Sequence, residues 1–347
     1  MPVIQHLIAD QFGSHVGKYS GRLKVTKKGE TLVQAPLLHL ESVMITNRGV
    51  SVSAEAIRAC TERGIPIHFL SGKGVPYAAL YSAGLMGTVM TRRAQLMAYH
   101  DERAVCLAVA FATGKIENQA NLLKYVAKYR KEKEPETFQA LRLLVDEVRE
   151  HLGELDELRQ RSLSESIVID EVRGQLLSIE GRAAQKYWQG IKLIIPEHLE
   201  WPGRERRGAQ DAFNSALNYG YGMLYSKIEH ALVLAGLDPY GGYIHTDRPG
   251  KLSLVFDFIE EFRATVVDRT IVGLVNKRTK IEQDERGMLT DKTRHQLRDK
   301  IKGRLDAREK YEKKRHTLRN IIQMQARHLA TYLRRERKSY EPFITKW

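Results

Sequence analysis

The spacing of apolar residues changes once along this chain, near Gly84 and Gly87, and that change constrains the fold more than any other feature. Before it, short runs rich in β-branched residues recur at 15–19, 22–26, 31–35, 40–46, 67–70 and 77–81. Turn signals separate them, at Lys27-Lys28-Gly29-Glu30, Asn47-Arg48-Gly49 and Ser71-Gly72-Lys73-Gly74. One helix interrupts the set. Residues Ser51 to Ser53 offer N-caps, Ala54, Ile57, Ala59 and Cys60 form its stripe, and Gly64 ends it before Ile65-Pro66.

From Arg92 the period is helical almost to the end, at 104–112, 119–129, 136–152, 172–190, 209–235, 252–276, 290–305 and 315–337. The segment 130–136 reads as a solvated interhelical loop. The pattern specifies an α+β chain of two domains: a small N-terminal β-rich domain at 1–85, a linker at 86–91, and a larger all-α domain at 92–347 that carries the chemistry. With 347 residues there is length for two cores.

Charge narrows the partner. The chain carries +14, and residues 277–347 hold 22 Lys and Arg against 10 Asp and Glu, so nearly all the excess sits in the last fifth. Such a segment fits a polyanion, with nucleic acid ahead of an anionic membrane. The C-terminal helices lack a clean apolar face opposite the lysines, which argues against a membrane surface. No run of about 18 apolar residues exists. No basic stretch leads into an apolar one at the start, so no secretory signal is expected. Cys60 and Cys106 read as two free thiols of a reducing cytoplasm.

Three carboxylates lie where bare carboxylates should not. On a helix Leu176, Glu180, Ala183, Ala184, Tyr187 and Ile191 share a face, so Glu180 points inward with small residues beside it. A buried carboxylate needs a cation, a hydrogen-bond donor or a metal. For Glu180 alone, a structural salt bridge and a metal ligand are equally consistent. The segment 252–263 is apolar nearly all round, yet it carries Asp257 and Glu260 three apart on one face. Something positive should lie between them. A divalent cation satisfies this best, with Arg263 as the competing partner.

The turn-rich loop 236–250 precedes that helix and holds His245 among small and polar residues. Oxygen ligands suit Mg²⁺, and an added imidazole admits Mn²⁺. No Cys–Cys or His–His pair suggests zinc. Acids and a histidine at a divalent ion, in a basic protein, point to phosphodiester chemistry. Asn214, Asn218 and Tyr221 share a face of the preceding helix, and interhelical hydrogen bonding is the reading favoured for them.

These blocks resemble a known family. Ser178-Ile-Glu-Gly-Arg-Ala-Ala184, Asn214-Ser-Ala-Leu-Asn-Tyr-Gly-Tyr221, Gly236-Leu-Asp-Pro-Tyr240 with Ile244-His245, and Ser253-Leu-Val-Phe-Asp-Phe-Ile-Glu-Glu-Phe-Arg263 occur in its order and approximate spacing. Thr46-Asn-Arg-Gly-Val-Ser-Val-Ser53 and Gly64-Ile-Pro-Ile-His-Phe-Leu70 are similar too. The family is the CRISPR-associated endonuclease and integrase of the spacer-acquisition systems. The resemblance implies a prokaryotic cytoplasmic homodimer that binds double-stranded DNA and a small second adaptation protein. It implies insertion of short duplexes into the repeat array. It maps the ligands of one Mg²⁺ or Mn²⁺ onto Glu180, His245 and Glu260, with Asp257 as an acidic neighbour in the catalytic set. Where some members have aspartate at the last ligand this chain has glutamate, which leaves Asp257 and Glu260 both open. Arg263, Lys277, Arg278, Lys251 and Arg248 are the basic residues expected to hold DNA. The resemblance carries no aromatic residue of the β-rich domain, Tyr19 included, over to the family's aromatic groups at the DNA ends.

Two rivals use the same residues. A non-catalytic basic DNA-binding protein accounts for the charge but not for the inward acids. A repair or junction nuclease would need the same metal and the same phosphate.

Overall fold

The computed structural model describes residues 4, 6–71, 76–80, 89–165, 167–205, 209–245 and 248–347. The chain divides into two compact units, Met1–Met86 and Gly87–Trp347. The expected linker at 86–91 lies partly outside the described residues, and Val89 to Thr91 already belong to a helix. The turn at Gly72-Lys73-Gly74 and Tyr81 also lie outside them.

The first unit contains two four-stranded sheets. Its strands are β1 (His6–Ala9), β2 (His15–Tyr19), β3 (Arg22–Lys27), β4 (Glu30–Pro36), β5 (Ser42–Ile45), β6 (Ser51–Val52), β7 (Ile67–Leu70) and β8 (Pro76–Leu80). One sheet runs β4-β3-β2-β6, antiparallel but for the parallel β2–β6 edge. The other runs β1-β5-β7-β8, parallel until the final antiparallel pair. Helix α1 (Ala54–Thr61) starts where expected, because the Ser53 side chain accepts from the Ala56 N–H. Strands β1 and β6 were not expected from the sequence.

Alternate residues of the strands fill one core: Leu7 and Ala9, Val16, Leu23 and Val25, Val43 and Ile45, Ile67. Cys60 closes it as a free thiol, pushed up to about 11 by burial against the opposing Arg63 charge, and so unreactive. Cys106 is free as well.

The second unit is helical: α2 (Val89–Ala98), α3 (Glu102–Lys128), α4 (Pro135–Glu165), α5 (Ile169–Lys192), α6 (Ala212–Leu234), α7 (Ser253–Phe258), α8 (Glu260–Phe262), a π-helical turn at Arg263–Asp268, α9 (Arg269–Asn276), α10 (Asp291–Asp306) and α11 (Leu318–Leu333). The two runs at 104–112 and 119–129 are one helix, α3, continuous through Gly114. That glycine is a contact: a Cβ there would lie 2.9 Å from Pro342 and 3.0 Å from Glu261. The expected helix at 315–337 begins late. A two-stranded ribbon, β9 (Arg308–Tyr311) and β10 (Lys314–Thr317), precedes α11, so the second unit is not all-α. Among the described residues no helix is long and apolar enough to cross a membrane.

Candidate metal centre

Glu180 comes from α5. Leu176, Ala183, Tyr187 and Ile191 are all buried there, so its stripe faces the core as the period required. Glu260 comes from α8, the middle of a helical run buried nearly all round. The two carboxylates meet at one point, and the group at that point is Lys115 of α3. Its Nζ pairs with Glu180 Oε1 and lies 2.9 Å from Glu260 Oε2. Lys115 is only 5% exposed.

Its position follows from α3. Ala108, Phe111, Lys115, Asn118 and Leu122 recur at helical spacing and all are buried, so a lysine stands on the innermost stripe of an apolar helix. Arg263 adds a second cation, Nε 3.2 Å from Glu260 Oε1. Burial opposes ionisation of Glu260 most strongly. Arg263, Lys115 and His245 outweigh it together and hold that carboxyl at about 2. Glu180 Oε2 is buried with no hydrogen-bond partner.

Asp257 has a different environment. Its Oδ2 accepts from the N–H groups of Tyr243, at 2.6 Å, and Ile244, at 3.0 Å. Its Oδ1 accepts from the His245 N–H at 2.9 Å and lies 2.7 Å from His245 Nδ1. Both oxygens are therefore committed to the loop that carries His245. Imidazole Nδ1 is engaged by the carboxylate, which directs Nε2 to the other side of the ring. Gly242 permits this approach, since a Cβ there would lie 2.7 Å from the backbone of Ser253 and 2.9 Å from Asp257 Oδ2. Gln95 clamps the same loop: its Nε2 donates to the Asp238 and Gly241 carbonyls, and its Oε1 accepts from the Asp238 N–H, each at 2.8 Å.

Beside Glu260 lies a cavity of about 20 Å³, lined by Lys115, Gln119, Trp188, Arg204, Tyr221 and Asp268 among others. Asn214 and Asn218 hold Arg204 there, accepting from its guanidinium at 3.1 and 2.6 Å. They brace the segment before α6 instead of joining helices. Tyr221 does bond between helices, donating to Asp268. Tyr187 donates to the same carboxyl at 2.7 Å. Burial pushes Asp268 up to about 6, against those hydrogen bonds and the Arg204 and Arg263 charges.

The other expected DNA residues are dispersed. Arg263 lies within the cluster, its guanidinium 4.9 Å from the Tyr221 ring. Lys277, Arg278 and Arg248 are exposed, and Lys251 reaches over Phe256. Tyr19, in the other unit, is exposed with Lys24 Nζ 4.0 Å above its ring.

The donor set suits a hard divalent ion in kind: two buried carboxylates already sharing one cation, one oxygen without a partner, and an oriented imidazole nearby. The three expected ligands, Glu180, His245 and Glu260, are not gathered around one point, and no group of three His, Cys, Asp or Glu among the described residues is close enough to hold a metal. Lys115 fills the shared position.

A family model, CRISPR associated protein Cas1, matches residues 7–303. The chain belongs to the Cas1 family. It is 37% identical over 352 aligned residues to a CRISPR-associated endonuclease Cas1 of Archaeoglobus fulgidus, covering 98% of this chain and 99% of that one. Its fold is similar to a casposase bound to integration product, with TM-score 0.81 at 20% identity over 97% of this chain and 93% of that chain. It is similar too to a chain of a Cas6-RT-Cas1–Cas2 complex, with TM-score 0.73 at 22% identity, over 97% of this chain and 36% of that longer one. At these identities the solved structures speak for the fold alone. The expected α+β order of a β-rich unit before a larger helical one agrees with them.

Lys115, Gln119 and Arg204 were not among the residues expected at the site. For Lys115 a signal exists: a single lysine at an inward position of an otherwise apolar stretch.

Proposed function

We propose that the chain is a metal-dependent DNA endonuclease and integrase that inserts short DNA fragments as new spacers into CRISPR arrays. The observation that carries the reading is the convergence of Glu180 and Glu260, from two helices, on one buried cation position, with a carboxylate oxygen left over. Glu180, Glu260 and His245 would hold Mg²⁺ or Mn²⁺, and Asp257 orients the imidazole. When bound, the ion would supply Lewis-acid charge withdrawal at the scissile phosphate. The Glu260 carboxyl, held at about 2, stays an anionic ligand throughout the neutral range. Arg263 faces the same recess as a phosphate partner, and Arg204 stands beside it at the aromatic wall of Trp188 and Tyr221.

The reaction on this reading is a transesterification. The 3′-oxygen of the incoming strand forms a bond to phosphorus at a repeat boundary, and the bond from phosphorus to the old 3′-oxygen breaks. Double-stranded DNA is the partner that suits the basic segment 277–347. A homodimer and a small second adaptation protein complete the working assembly. Membership of a family of CRISPR-associated endonucleases supports the array as target over a general repair role.

The test is integration of a labelled duplex into a repeat-containing plasmid, with the second protein present. Product should need Mn²⁺ or Mg²⁺, vanish with EDTA, and vanish in a Glu180→Ala, His245→Ala double variant. Undiminished product from that variant would exclude this site.

A further inference from the structure

We propose that Lys115 is a built-in placeholder for the divalent ion, and that the metal enters by exchange: the Lys115 ammonium leaves Glu180 and Glu260 and docks on Gln119. The inference rests on the reading of Glu180 and Glu260 as metal ligands.

Charge supplies the first argument. Glu180, Glu260, Lys115 and Arg263 form one cluster, two anions against two cations, and sum to zero. A dication added to that set would leave two uncompensated positive charges among side chains almost closed to solvent, which is strongly unfavourable. If the ammonium withdraws as the metal enters, the two carboxylates face one cation at a time, and the displaced charge moves one turn along α3 to the Gln119 side of the cavity.

Geometry supplies the second. The Lys115 ammonium occupies the shared position between the two carboxylates, so ligation by both requires it to move. A destination exists one turn along α3. Gln119 lines the same small cavity as Lys115, and its Oε1 is buried with no hydrogen-bond partner. The cavity of about 20 Å³ has room for one water-sized group, which an ammonium is. A lysine has four flexible methylenes and a compact head, so it can swing where an arginine fork is tied. An unpartnered amide oxygen beside a flexible cation is otherwise a plain loss of stability.

The exchange makes Lys115 a positioning residue that sets metal affinity. It keeps the two carboxylates in register before the metal arrives, and it competes with the metal for them.

The experiment is calorimetric titration of Mn²⁺ into the full-length chain at fixed pH and salt, with circular dichroism to confirm folding. Lys115→Met keeps length and removes the competitor; it should bind Mn²⁺ about tenfold tighter or more and melt earlier than the natural chain in EDTA. Lys115→Arg keeps the competing charge and should show no gain. Gln119→Leu removes the docking oxygen and should bind Mn²⁺ several-fold more weakly. Unchanged or weaker binding by a folded Lys115→Met variant overturns the exchange. Should that variant not fold, unchanged binding by Gln119→Leu overturns it instead. Glu180→Ala separates the two claims. Binding that ignores Glu180 removes the metal reading and the exchange with it, whereas Glu180-dependent binding without a Lys115→Met gain removes the exchange alone.

Discussion

Asp257 holds His245 at both ends: Oδ1 takes the backbone N–H at 2.9 Å and sits 2.7 Å from ring Nδ1. With its other oxygen taken by Tyr243 and Ile244, this carboxylate has a loop to organise and no lone pair turned to the carboxylates Glu180 and Glu260. Asp257→Asn should therefore act through the imidazole. An amide turns one N–H₂ group toward backbone donors and gives up the carboxylate charge. Mn²⁺ affinity by titration should fall about 10- to 100-fold, the usual effect of losing such an orienting partner. Affinity within twofold of the natural chain would show that Asp257 does not set the histidine.

Gly242 should resist any side chain. A methyl there meets the Ser253 backbone at 2.7 Å and Asp257 Oδ2 at 2.9 Å, the latter held in place by the Tyr243 and Ile244 N–H groups. Gly242→Ala should cost about 1–3 kcal/mol in thermal unfolding and weaken metal binding together. An unaltered Tm with unaltered binding would mean the loop can shift without consequence.

Glu261, next to Glu260, faces away from it and anchors the C-terminal segment. It accepts from the Tyr340 hydroxyl, the Phe343 N–H at 2.9 Å and Gln325 at 3.3 Å, while burial pushes its carboxyl from 4.5 up to about 8. A folded value above the unfolded one contributes stability at pH below the unfolded value, and that contribution is lost as pH rises toward the folded value. The Tm of the natural chain should thus decline between about pH 5 and pH 8 more steeply than that of Glu261→Gln. Parallel profiles would place the titration elsewhere.

Much of the fold was legible because its elements are driven by burial. Strand β3 and helix α5 carry regular apolar periods, and Ser53 supplied a cap. The ribbon β9–β10 was not legible. Its residues are charged and mostly solvent-facing, so no alternation marks it, and its turn puts Glu312 and Lys313 at φ 43° and 68° without glycine or asparagine. Strand β6 is two residues long and pairs only as an edge. At the site, the inward faces of Glu180 and Glu260 followed from helical period. That Arg263 meets Glu260 followed from their spacing, but the Lys115 bridge did not, because Lys115 comes from a helix 65 residues before Glu180. The division of labour between Asp257 and Glu260 depended on the backbone of a loop that no period describes.

The basic surface should show itself in salt dependence. Lys277 and Arg248 are exposed. If each meets one phosphate, Lys277→Ala and Arg248→Ala should each lower the slope of log K against log salt for duplex binding by about 1. A slope unchanged in both would move the DNA path away from these residues.

The central claim is that Glu180, Glu260 and His245 hold one divalent ion where Lys115 now sits. Crystals grown with Mn²⁺ and measured near the manganese absorption edge test it most directly. The expected result is one anomalous peak about 2.1 Å from a Glu180 oxygen, a Glu260 oxygen and His245 Nε2, with the Lys115 ammonium withdrawn. A map without that peak at saturating Mn²⁺, with Lys115 still between the two carboxylates, would contradict it.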